Sequence, residues 1–135
     1  MLSRTFIYLL GFVVISLQCS CDFNLIDDVG FKEIKRTQSP DHKVDAILIE
    51  ADAGATTSTS GKVFITKSGN KITSEDFPSA IFNCDNFSGL DVSWKATKEL
   101  TISYLRARIF NYSSKWKSDD GKYGVNVSLD SLNKR

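Results

Sequence analysis

This chain is poor in the residues that do chemistry. It has one histidine, two prolines, one methionine and three cysteines among 135 residues, and each shortage closes off a class of function. A single imidazole, His42, excludes a multi-histidine metal centre and leaves one candidate base for a Ser or Cys nucleophile. No charge of one sign dominates, because 17 Lys and Arg stand against 16 Asp and Glu. Without a strongly basic surface the chain lacks the electrostatic footprint of a nucleic-acid binder, so no nucleic-acid partner is expected. Asp119-Asp120-Gly121 lacks the spaced ligands and distal Glu of a calcium loop and reads as a tight turn. No cofactor or metal is expected, no catalytic residue is singled out, and the protein is expected not to be an enzyme.

Long hydrophobic runs are also scarce. The longest begins at Phe6 and continues through Ile15 to Leu17, about 12 residues, which is short of the roughly 20 that a membrane-spanning helix needs. Preceded by Arg4 and followed by Gln18-Cys19-Ser20-Cys21, it suits the central region of a secretory signal peptide. The cysteines sharpen this into a lipoprotein-type signal, residues 1–20, in which Cys21 is acylated behind the small Ser20. Cys19 is the alternative, with Gln18 in the place that takes a small residue. Two acyl chains attach a protein stably to a bilayer where one is marginal. The expected location is therefore a cell membrane, lipid-anchored and facing the periplasm or exterior, with residues 21–28 as a tether. Once residues 1–20 are removed, 16 bases face 16 acids and Cys84 has no disulfide partner. In its apolar setting, Ile81-Phe82-Asn83-Cys84, it reads as a small buried hydrophobe.

Residues 29–135 read as one mainly β domain with little helix, an antiparallel meander or small sandwich of about 6–8 strands. Val44 to Ala51 carries branched apolar groups on both faces, the mark of a central strand covered on each side. Ser39-Pro40-Asp41 before it is a turn, since proline fixes its own φ and the aspartate bonds the backbone ahead of it. Lys62 to Thr66 and Ala80 to Cys84 are further strands, and Ser68-Gly69-Asn70 and Ser118 to Lys122 are turns. Leu90, Val92 and Trp94 alternate with polar residues, as do Leu100, Ile102 and Tyr104, so these form a hairpin with one face buried. Beyond Tyr104 the parity reverses, with Leu105, Ala107 and Ile109 on the apolar side, which predicts a bulge or strand end at 104–106. Ser74 to Pro78 resembles a helix start as much as a loop.

Two surface elements stand out as candidates. The loop after the central strand offers backbone amides and hydroxyls at Gly54, Thr56, Thr57 and Ser58 that suit an anion. The densest aromatic and basic cluster, Tyr104, Arg106, Arg108, Tyr112 and Trp116, is the candidate contact surface for an envelope protein or the membrane, because aromatic residues and Arg dominate interface anchors.

Ser39-Pro40-Asp41 with Lys43, the apolar strand, Gly54-Ala55-Thr56-Thr57 and the apolar strand after it together resemble a family of small bacterial lipoproteins and membrane-attached proteins of unknown function. Val92-Ser93-Trp94 with Leu100-Thr101-Ile102 looks like the same family's closing hairpin, so the likeness runs over residues 39–104. The chain departs from the usual Ser-Pro-Asp-Gly by having His42 where Gly is expected. The resemblance implies a lipoprotein-like envelope protein with a β fold and supplies no activity. The expected function is a non-enzymatic binding or structural module. The alternatives are an immunity or inhibitor lipoprotein and, from another class, a small envelope hydrolase using Cys84 or a hydroxyl of residues 56–60.

Overall fold

Alternation of apolar and polar residues underlies most of the strands, which number nine among the described residues and form two facing sheets. The computed structural model describes residues 30–52 and 58–133. The signal segment, the tether with Cys21, and Gly54, Thr56 and Thr57 lie outside the described residues. The strands are β1 (Phe31–Gln38), β2 (Val44–Ala51), β3 (Ser60–Lys67), β4 (Phe82–Ser88), β5 (Asp91–Ala96), β6 (Glu99–Tyr104), β7 (Arg106–Tyr112), β8 (Lys115–Lys117) and β9 (Gly124–Ser131). One sheet has the order β1-β2-β3-β4-β7 and the other β5-β6-β9-β8. The shortest strand, β8, has three residues, too few for alternation to mark it in the sequence.

The core lies between the sheets. Val44, Ala46 and Leu48 of β2, Val63 and Ile65 of β3 and Phe82 and Cys84 of β4 meet Val92, Leu100, Ile102, Val125 and Val127 from the opposite sheet. The other face of β2 is covered as well. Ile47 and Ile49 join Phe64 and Ala80 beneath a 3-10 helix, Ser74–Ser79, whose Phe77 packs on them with Phe31 and Ile72. The Phe77 ring stands edge-on to Phe31 at 5.3 Å and tilted to Phe64 at 6.1 Å. This second layer explains why β2 is apolar at both parities. Fully burying a side chain of this size contributes about 1.5–3 kcal/mol.

The parity reversal after Tyr104 is a change of sheet. β6 ends in one sheet, Leu105 forms a bend with its N–H bonded to Ser88 O at 2.9 Å, and β7 begins at Arg106 in the other sheet. Gly89 makes room for the crossing: its φ is +63°, and a Cβ there would stand 2.8 Å from Leu105 Cγ. β7 then pairs with β4 irregularly. Phe110 is the extra residue of a bulge between Asn111 and Ile109, and Asn86, at φ 46°, lies in a bulge on β4.

The strand directions give the sandwich two poles separated by about eight residues of strand, roughly 25 Å. At one pole the described chain enters at Gly30, whose carbonyl accepts from Asp52 N at 2.7 Å. That pole also holds the ends of β4, β6 and β9. The opposite pole holds the β1–β2 turn at 39–43, the β2-to-β3 register end at Lys67, the β5–β6 turn and the β8–β9 hairpin. Among the described residues, no helix is long and apolar enough to cross a membrane.

Candidate functional site

The pole away from Gly30 is built on one turn used twice. Ser39-Pro40-Asp41-His42-Lys43-Val44 and Ser118-Asp119-Asp120-Gly121-Lys122-Tyr123 share the pattern Ser-x-Asp-x-Lys-apolar, and their hydrogen bonds correspond one for one. In the first, Ser39 N bonds Val44 O and His42 N bonds Ser39 O, both at 2.8 Å. In the second, Ser118 N bonds Tyr123 O and Gly121 N bonds Ser118 O, again at 2.8 Å. Ser39 Oγ donates to Asp41 Oδ1 at 2.6 Å, and Ser118 Oγ donates to Asp120 Oδ1 at 2.5 Å. The residue after each aspartate is left-handed, with φ 60° at His42 and 69° at Gly121. Glycine takes that conformation freely and histidine at a cost of about 1–2 kcal/mol. His42 therefore keeps the glycine-type turn, its Nδ1 2.6 Å from Gln38 Oε1.

Tyr123 joins the two turns. Its hydroxyl donates to Asp41 Oδ2 at 2.7 Å, with the Thr97 carbonyl 3.2 Å away. Burial, and then the Asp41 carboxylate beside it, push its pKa up to about 12. The Ser39 hydroxyl and the Tyr123 phenol hold the Asp41 carboxyl below the usual carboxylate range. Lys43 Nζ and Lys98 Nζ stand over the Tyr123 ring at 5.7 and 5.0 Å. Behind the first turn, Asp45 is buried and accepts from Arg36 Nη1 at 2.9 Å, Ser68 Oγ at 3.0 Å and Gly69 N at 3.0 Å. It locks the 68–70 turn onto β2.

Between these turns opens a cleft of about 870 Å³, within the 300–1,000 Å³ range of ligand pockets. The first turn supplies His42 and Lys43, β3 and the loop after it supply Ile65, Lys67 and Lys71, the 3-10 helix supplies Asp76, and the β8–β9 hairpin supplies Trp116, Asp119 and Tyr123. The charges are mixed. Asp76 is held within its own segment by Thr73 N at 2.8 Å, and Asp120 by Lys122 N at 3.0 Å. Among the described residues, Lys67 and Lys71 take part in none of the ion pairs, which are Lys35–Asp91, Arg36–Glu33, Arg36–Asp45 and Arg108–Asp85. No group of His, Cys, Asp and Glu among the described residues is placed to hold a metal ion.

The aromatic and basic residues singled out in the sequence are distributed over three strands, β6, β7 and β8. Arg106 and Arg108 are exposed on edge strand β7, and the Arg108 guanidinium lies over the Phe110 ring at 5.2 Å while making a bidentate pair with Asp85. Tyr104, half-buried, ends β6 in the other sheet. Tyr112 donates its hydroxyl to Val127 O at 2.5 Å, tying the two sheets together. Trp116 packs against the core and lines the cleft. Of the Gly54, Thr56, Thr57 and Ser58 loop only Ser58 is described, exposed at the pole where the chain enters. Cys84 is fully buried, and burial pushes its thiol up to about 11. It packs as a core residue with its thiol protonated at neutral pH.

The cleft went unread in the sequence because its walls come from four separate segments. The one available signal was the recurrence of Ser-x-Asp-x-Lys at residues 39 and 118. No family model, curated protein or solved structure matches the chain.

Proposed function

We propose that this is a lipid-anchored envelope protein, acylated at Cys21, whose domain from residue 29 onward is a non-enzymatic binding module. The likeness of residues 39–104 to small bacterial lipoproteins agrees with this reading. The observation that carries it is polarity of arrangement: the described chain enters at Gly30, and the cleft opens at the other end. A tether of residues 21–28 spans at most about 30 Å when extended. It would hold the Gly30 pole near the bilayer and turn the cleft towards the periplasm or exterior. The buried thiol of Cys84 and the internally committed carboxylates of Asp41, Asp76 and Asp120 favour binding over hydrolysis.

Metabolic labelling with a fatty-acid analogue tests the anchor. Incorporation is expected in the unaltered chain and lost in Cys21→Ala; labelling that survives Cys21→Ala, or no labelling at all, rejects this site. Crosslinking in intact membranes followed by purification tests the binding role, with one stoichiometric envelope partner as the expected product.

A further inference from the structure

The cleft has an uncommon wall. β3 pairs with β2 over its full length, from Ser60 to Lys67, but with β4 only from Ser60 to Val63. The last bond on that side is Ile81 N to Val63 O, at 2.9 Å. Beyond it the chain before β4 turns away into the 3-10 helix, so sheet interior becomes sheet edge in the middle of β3.

Strand alternation fixes which groups are left over. Val63 O points to the β4 side, and Ser68 N points to the β2 side, where it bonds Lys43 O at 3.1 Å. Successive residues of a strand direct their amide and carbonyl groups to opposite sides. The N–H and C=O of Ile65 and the N–H of Lys67 therefore face away from β2, along the cleft. Lys67 O is taken by Asn70 N at 3.1 Å. Ile65 is buried, with 6% of its surface exposed, and buried backbone groups are almost always paired in proteins. Natural sheets cover or blunt such an edge. Here no strand of the described residues pairs with it, and Ile65 and Lys67 line the cleft together with Trp116 and the β8–β9 hairpin.

We propose that the Phe64–Lys67 edge of β3 is a strand-addition site that takes an extended peptide segment of a partner protein, with an acidic residue at the Lys67 and Lys71 end. The segment continues the sheet where β4 stops, exchanging main-chain hydrogen bonds with Ile65 and Lys67. This is the β-augmentation mode, in which the ladder supplies affinity and alternate side-chain pockets supply selectivity. One face of the added strand meets Trp116, and the other meets the 3-10 helix side of the cleft. The carboxylate follows from the charges: Asp76 and Asp120 are engaged in their own turns and Asp119 belongs to the β8–β9 hairpin, whereas on the β3 side the Lys67 and Lys71 ammonium groups have no ion-pair partner among the described residues.

The inference deepens the binding reading and rests on it, but its test is independent of acylation. A displayed library of random linear heptapeptides is selected against the full chain in detergent, and winners are resynthesised. The expected winners carry alternating apolar residues and a terminal Asp or Glu, and shift the amide resonances of Ile65 and Lys67 and the Trp116 indole. Lys67→Pro removes one ladder donor and leaves the β2 bonds intact, so it should weaken winners at least tenfold. Lys67→Glu with Lys71→Glu should weaken acidic winners similarly without touching the backbone, as should N-methylation of alternate peptide amides. The proposal is overturned if no peptide is enriched, or if winners bind Lys67→Pro and their N-methylated forms survive with equal affinity. It is also overturned if the Ile65 and Lys67 amides are already protected in a manner that grows with protein concentration, which would make the occupant a second copy of this chain. None of those outcomes bears on labelling at Cys21.

Discussion

Replacing Asp45 by alanine should loosen the pole that carries the cleft, and the structure sets the size of the effect. The Asp45 carboxylate is buried at 4% exposure and accepts three hydrogen bonds, from Arg36, Ser68 and Gly69. Hydrogen bonds to a charged group are worth about 1.5–3 kcal/mol each when their loss strands a partner. Stranding is limited here, because Arg36 keeps Glu33 at 2.9 Å and Gly69 is exposed to water. The expected loss is therefore about 2–3 kcal/mol in total, which lowers Tm by on the order of 10–20 °C in a domain of this size. Asn at the same position keeps the shape and one acceptor and should cost roughly half as much.

The pH dependence has a definite sign. Burial alone would raise the Asp45 pKa, but the Gly69 amide, the Arg36 guanidinium and the Ser68 hydroxyl outweigh it and hold the carboxyl below its ordinary value of 3.8. A group with a depressed folded pKa contributes stability above its unfolded pKa and loses it as pH falls through the folded value. The difference between the unaltered protein and Asp45→Asn should thus stay constant from neutrality down to about pH 4 and close below that. Urea unfolding followed by Trp94 and Trp116 fluorescence measures both. Equal midpoints at neutral pH, or a gap that persists in strong acid, would refute the reasoning.

Tyr123→Phe should cost about 1–2 kcal/mol at neutral pH by removing the bond from the phenol to Asp41. Since the folded pKa of Tyr123 is raised from 10.0 to about 12, this contribution is complete below pH 10.0 and lost as pH rises through about 12; ultraviolet titration should find a late-ionising phenol in the unaltered protein and none in Tyr123→Phe. His42→Gly relieves a left-handed histidine and should be neutral or stabilising by about 1 kcal/mol, as the glycine in the matching turn suggests. A clear fall in Tm would instead assign weight to the exposed His42–Gln38 contact.

What the sequence disclosed follows from where alternation is enforced. β2 was legible as a doubly covered strand because Ile47 and Ile49 are buried under the 3-10 helix while Ala46 and Leu48 enter the core. The break at Leu105 was legible as a bulge or strand end because the inward parity reverses there; that the chain changes sheet at this point was not, since parity alone does not say which sheet the next strand joins. The 3-10 helix was ambiguous, since six residues with one inward aromatic, Phe77, give no period to read. The edge at Ile65 was invisible for a different reason. Local pattern records which face of a strand is buried, and Ile65 is buried; whether a neighbour pairs with its backbone depends on where β4 begins, which is after the 3-10 helix that ends at Ser79. Of the candidate contact residues, Tyr104 and Trp116 lie in one sheet and Arg106, Arg108 and Tyr112 in the other, because the chain changes sheet at Leu105.

The parallel pairing of β6 with β9, from Glu99 against Asn126 to Tyr104 against Ser131, returns the final strand to the pole where β1 starts. A fluorescent protein or affinity tag joined after Asn133 would therefore sit beside Gly30 and leave the far end of the sandwich unobstructed. Reporter fusions at that position are suited to following the protein in cells, whereas an insertion in the 118–123 hairpin would block the cleft itself.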